Sequence, residues 1–291
     1  MWGRRFRLLW LFVLIALAAG AYWGVQRYRY RFVRSDLDLL HLLPARDTTF
    51  IYANIARLRH AGYLAVLAGS RHIQEADYRR FVQETGFDYA RDLDSLAASL
   101  EGDQIWFVMR GHFDWQRLRS YAENHHAARP IRIREIQPDV LALAISANTN
   151  AIDQIRPAAN SELFASNAPV WAEPSKAALL NPSNLPLPVR IFAISLQSAQ
   201  SVVLALEPSA EPSVAFSLSL NAAFRNASEA DTARDQLVHN TALLKAELAR
   251  EHREPTPSDL EWLLISGSFA LSNNHLLANW PVRRELMKAL Q

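Results

Sequence analysis

The chain contains no cysteine and only nine glycines in 291 residues. The first absence excludes disulfide frameworks, thiolate metal sites, iron–sulfur clusters, cysteine nucleophiles and lipid attachment through cysteine. The glycines form neither a G-x-G nor a G-K-[ST] loop, so the usual dinucleotide and P-loop phosphate cradles are missing. No H-E-x-x-H, G-x-S-x-G or S-x-x-K motif occurs, which removes the signatures of zinc hydrolases, α/β-hydrolases and serine–lysine enzymes. These absences point away from the common enzyme classes, and no cofactor or metal is expected.

Acid is missing from the first 34 residues, which hold seven arginines. Of the 31 lysines and arginines, 24 remain for the other 257 residues, against all 29 acids, a net charge of −5 there. The pI near 9 therefore comes from the amino terminus. The body of the chain is mildly acidic, which argues against nucleic acid as a partner.

What stands between those arginines is an uncharged run over residues 8–25, LLWLFVLIALAAGAYWGV. As a helix it reaches roughly 27 Å, enough to span a hydrocarbon core. Arg4, Arg5 and Arg7 precede it, Arg27, Arg29 and Arg31 follow it, and Trp23 lies near its end, the flanks of an interfacial anchor. The lipid bilayer is thus the expected partner of this segment. Ala19-Gly20-Ala21 imitates a signal-peptide cleavage site. The apolar run continues past it through Tyr22, Trp23 and Val25, so an uncleaved transmembrane helix is the preferred reading. Arginines on both flanks leave the positive-inside rule nearly tied. A short basic amino terminus followed by a long domain favours a single-pass topology with the main domain exported.

The rest reads as α+β. Ser35 and Asp38 form an N-terminal capping box for a short stalk helix. TFIYA at 49–53 is a strand, and Asn54 caps the helix after it. A helix over 75–85 stops at Gly86. The apolar run 105–109 suits a strand covered on both faces, and Asp114 caps the next helix, with Phe113 and Leu118 as a hydrophobic staple. Strands over 131–136 and 140–145 make a hairpin across Gln137-Pro138-Asp139. Residues 157–188 carry six of the 14 prolines and read as an irregular connector. Beyond them, 191–196, 202–206 and 214–220 read as strands. Ser228 with Asp231 opens a long helix, Ser258 with Glu261 a short one, Asn273-Asn274 marks a hairpin, and Pro281 begins a last helix.

The expected organisation is a basic tail (1–7), a transmembrane helix (8–25), a juxtamembrane stalk (26–46), a first module (47–156), a proline-rich connector (157–188) and a second module (189–291). Each module is expected to be a mainly antiparallel sheet with helices on one face, loosely ferredoxin-like.

Candidate chemistry is sparse. Asp88, Asp92 and Asp94 around Arg91 lack a calcium-loop spacing and read as caps and ion pairs. His112 with Asp114, and the adjacent His125 and His126, lack the partners that catalysis or metal binding needs. The segments FVQETGFDYARDLD (81–94), WFVMRGHFDWQRLRSYA (106–122) and the ending GSFALSNNHLLANWPVRREL resemble a family of uncharacterised bacterial envelope proteins with one amino-terminal anchor. That resemblance implies a bacterial inner-membrane protein whose main domain is exported to the periplasm, and it brings no catalytic residue. The expected function is to bind or scaffold envelope components. The alternatives are a structural subunit of an envelope assembly, of secretion or pilus platform type, and an enzyme with an unrecognised site.

Overall fold

The computed structural model describes residues 33, 35–45, 47–64, 76–124, 131–157 and 166–289. The expected transmembrane helix at 8–25, its flanking Arg4, Arg5, Arg7, Trp23, Arg27, Arg29 and Arg31, and the pair His125 and His126 lie outside them. Among the described residues no helix is long and apolar enough to cross a membrane.

The protein is α+β, and its described residues build one antiparallel sheet of ten strands. In chain order these are β1 (Thr49–Asn54), β2 (Leu93–Glu101), β3 (Gln104–Gly111), β4 (Ile131–Gln137), β5 (Val140–Ile145), β6 (Val170–Glu173), β7 (Ser201–Pro208), β8 (Val214–Ala223), β9 (Ser268–Ser272) and β10 (His275–Arg283). The spatial order is β4-β5-β3-β2-β1-β6-β7-β8-β10-β9. Read outward from the β1/β6 pair, both halves have the same order: first strand, second, third, fifth, fourth.

Among the described residues ten α-helices accompany the sheet: α1 (Asp36–Leu40), α2 (Ile55–His60), α3 (Ala76–Thr85), α4 (Tyr89–Asp92), α5 (Trp115–Asn124), α6 (Lys176–Leu180), α7 (Leu187–Ile194), α8 (Ala227–Arg250), α9 (Leu260–Ile265) and α10 (Arg284–Ala289). The sheet register assigns side chains to faces. One row crosses all ten strands, through Ile133, Leu143, Phe107, Ala98, Ile51, Ala172, Leu204, Leu220, Ala278 and Phe269. At the β7–β10 end this apolar face packs on α8, whose buried Ala230, Ala233, Leu237, Thr241 and Leu248 form the helical stripe expected from the sequence. The other face is covered beside β1 to β3 by α1 and the chain around it. There Leu39, Leu40 and Leu43 meet Phe50, Trp106 and Val108, all nearly or fully buried. Each such side chain stabilises the fold by ~1.5–3 kcal/mol. Beyond β6 the same face carries Ser217, Ser219, Asn221 and Asn279 instead.

Several expectations change. β1 lies beside β2 and β6 beside β7, whereas a ferredoxin-like unit would place its third strand between the first two. The chain leaves β1 and re-enters the sheet at the same end, because Asn54 pairs with Ser95, so the helices between them form an excursion and not a crossover. The proline-rich connector contains β6, which pairs with both β1 and β7. Most of the apolar run read as a strand at 191–196 belongs to α7, which has Pro186 as its N-cap and Pro188 as its second residue. The cap of α8 is Asn226 with Glu229 instead of Ser228 with Asp231. Asp259, bonded to Thr256, precedes α9 instead of a Ser258–Glu261 box. Pro281 sits in β10, opposite Ser217. It is tolerated because β9 ends opposite Asn279 and leaves no ladder partner on that side.

Gly111 is required by close approach. A Cβ there would lie 2.3 Å from the Asp92 carbonyl oxygen, a backbone atom that cannot swing aside. The Gly111 turn fixes the entry into α5 and thereby the position of one wall of the site below.

Candidate functional site

Between α3, α5 and the sheet lies a cavity of about 560 Å3. Its floor is the apolar sheet face, through Met109, Leu141, Leu143 and Ile133. Its walls are aromatic: Phe81 from α3, Tyr121 from α5, and Phe87 and Phe113 from the segments that follow α3 and β3. Phe81 and Tyr121 meet edge to face at 5.1 Å, and Phe87 stacks on Phe113 at 5.4 Å, geometries that hold the two helices apart at a fixed spacing.

Local sequence explains the walls. Thr85 Oγ1 donates to the Phe81 carbonyl at 2.7 Å and Gly86, at φ +72, closes α3. Asp88 caps α4 and accepts from the Tyr78 hydroxyl at 2.9 Å. Asp114 accepts from the Arg117 amide at 3.1 Å, which starts α5, as the sequence suggested. α3 and α5 run antiparallel, since Phe81 faces Tyr121 while the Arg117 side chain lies against Gly86. Asp77 and Arg80, near the start of α3, and Asn124, at the end of α5, therefore share one end of the cavity, and all three are exposed. Phe87, Phe113 and Leu118 line the other end. The cavity thus has a polar mouth and an apolar base.

A smaller cavity of about 190 Å3 beside α1 is lined by polar groups that are spent on one another. The Asp36 carboxylate accepts from the Tyr52 hydroxyl, from Asn54 Nδ2 at 3.0 Å and from Arg110 at 3.3 Å. Arg110 also donates to the carbonyls of Val33 at 2.9 Å and Ser35 at 3.3 Å. This cluster fastens the stalk to the sheet. Burial first, then the hydrogen bond to Asp36 and its charge, raise the Tyr52 phenol well above its ordinary range. The unfolded chain ionises first, so the stability held by the neutral phenol is intact below about pH 10 and is lost as pH rises further. We expect Tyr52→Phe to make the alkaline fall of stability shallower by up to about one proton, measured by urea unfolding between pH 9 and 11. An unchanged slope would show that Tyr52 is not the titrating group.

A third feature is the outer side of α7. Leu187, Ile191 and Ile194, spaced for one helical face, are 65%, 41% and 51% exposed, and Leu180 beside them is 51% exposed. Residues 174–206 contain no acid and two cations, Lys176 and Arg190. Exposed apolar surface of this kind marks contact sites.

Among the described residues, those weighed for chemistry in the sequence do not converge. Asp88 and Asp92 serve as cap and ion-pair partner, with Arg91 on Asp92 at 2.7 Å and Asp94 on Arg59 at 3.7 Å. Asp92 is held below its ordinary range, chiefly by the Arg91 hydrogen bond. Asp114 is a cap, and His112 sits exposed on the strand exit. Among the described residues no group of three or more His, Asp and Glu could hold a metal. The sequence reading missed the cavity. Its signal was the aromatic density of 78–89 and 106–121 on two amphipathic helices that had to face one sheet.

No family model matches the chain, and no curated protein matches it. A solved structure, crystal form I of TP0453, is similar at 10% identity with a TM-score of 0.42, covering 88% of this chain and 98% of that one. A likeness at that level carries no functional argument.

Proposed function

We propose that the protein is a single-pass bacterial inner-membrane protein whose exported α+β body binds an envelope component. The observation that supports this most is the 560 Å3 cavity with a polar mouth and an apolar base, the size and lining of a ligand site, with no catalytic group converging on it among the described residues. The amino-terminal run at 8–25 supplies the anchor in this reading. Within the body, each half of the sheet is a module of five strands, the two joined at β1 and β6.

Two measurements test it together. A carboxyl-terminal reporter active only outside the cytoplasm should be active. The full-length chain purified from envelopes should bring down a component that Ala122→Trp, which fills the cavity from α5, loses. An inactive reporter sinks the topology, and identical profiles for the two chains sink the binding reading.

A second reading, a structural subunit of an envelope assembly, is supported by the exposed face of α7. It predicts that Ile191→Glu releases a partner protein recovered with the wild type while leaving the melting temperature within about 2 °C, as for most surface changes. Recovery of the same proteins by both chains would count against it.

A further inference from the structure

Resting on the binding reading above, we infer that the cavity between α3, α5 and the sheet takes the hydrocarbon tail of a single-chain amphiphile, a fatty acid or other monoacyl compound, with its head at the Asp77–Arg80–Asn124 mouth. Three observations carry this. The volume is about 560 Å3. If a methylene fills about the space of one liquid water, roughly 30 Å3, that holds about 18 methylenes, one long chain and not the two of a diacyl lipid. The lining is graded: Asp77, Arg80 and Asn124 are exposed at one end, while Phe87, Phe113 and Leu118 close the other. A globular apolar ligand would have no use for that gradient, and a highly polar one would find few partners at the base. The mouth carries both signs of charge and a carboxamide, so the tail, not the head, sets affinity.

The ligand lies along the antiparallel helices, with its methyl end against Met109, Phe113 and Leu141 on the sheet side. Since each buried methylene adds about 0.8 kcal/mol, affinity falls about fourfold for each one removed from a tail that fits wholly inside.

The test uses the full-length chain in phosphatidylcholine nanodiscs with palmitate carrying a diazirine near its methyl end, and peptide mapping by mass spectrometry after illumination. The expected label falls within residues 109–118 and 141–143. Unlabelled palmitate competes it away, and octanoate competes more weakly by at least about a hundredfold. Ala122→Trp and Leu143→Trp should each cut labelling at least about tenfold, with near-ultraviolet circular dichroism as a folding check. A diacyl phosphatidylcholine bearing the same diazirine should leave these peptides unlabelled. The inference is overturned by label confined to other peptides, by equal competition from octanoate and palmitate, or by equal labelling with the diacyl probe. The competition series needs only the wild-type chain, so it decides even if a variant misfolds. If Ala122→Trp still loses an envelope component while palmitate never labels the cavity, the acyl inference fails and the binding reading stands.

Discussion

Replacing Trp106 by alanine is expected to destabilise the protein by roughly 3–5 kcal/mol, the range for removing a large aromatic from a close-packed core. Trp106 is fully buried on β3, and its Nε1 donates to the Ala151 carbonyl at 2.9 Å, so the indole both fills space and ties the chain after β5 to the sheet. Alanine leaves a cavity beside Ala144, the cross-strand partner of Trp106, and removes the indole bond to the Ala151 carbonyl. Urea unfolding followed by far-ultraviolet circular dichroism measures the loss. A change below about 1 kcal/mol would mean that the packing around Trp106 is not the one described.

Asp36→Ala should cost about 2–3 kcal/mol, because it strips the shared acceptor from Tyr52 and Asn54 and leaves the Arg110 guanidinium, only 17% exposed, with the more distant Asp139 at 3.9 Å as its carboxylate partner. The stalk should loosen before the sheet does. Hydrogen exchange at His41, Leu42 and Leu43, whose amides close the end of α1, is the direct readout. Their exchange should quicken at least about tenfold while β7 and β8 stay protected. Uniform quickening would show that Asp36 supports the whole fold; no change would show that Arg110 alone holds the stalk.

Strands with one buried face and β-branched or aromatic residues were legible from the sequence: β1, the β4–β5 and β9–β10 hairpins, and β8 with its alternation of Phe216, Leu218 and Leu220 with Ser217 and Ser219. So were helix ends marked by a single side chain, such as Ser35, Asn54, Gly86 and Asp114. Two other kinds of element were not. β2, LDSLAASLE, is rich in Ala and Leu, residues that favour helices in isolation. Only its place between β1 and β3, with Ala97 fully buried, makes it a strand. α7 is apolar on nearly every side, so it has no helical period to read, and a short apolar run fits a strand equally well. The candidate site lay beyond reach for a related reason. Its lining comes from four separate stretches of chain, and the order of β4, β5 and β3 that brings them together is a property of pairing, which no local pattern encodes.

The Arg110–Asp36 fastening has one more consequence. It fixes the chain at Val33, eight residues beyond Val25, the last residue of the uncharged run. Eight links of polypeptide reach at most about 28 Å, while a folded body of this size has a radius of gyration of roughly 18 Å. If residues 8–25 cross the bilayer, the leash is shorter than the body is wide. The protein then cannot roam the space outside the membrane. It stays within one body-diameter of the lipid surface, so whatever enters its cavity is met there.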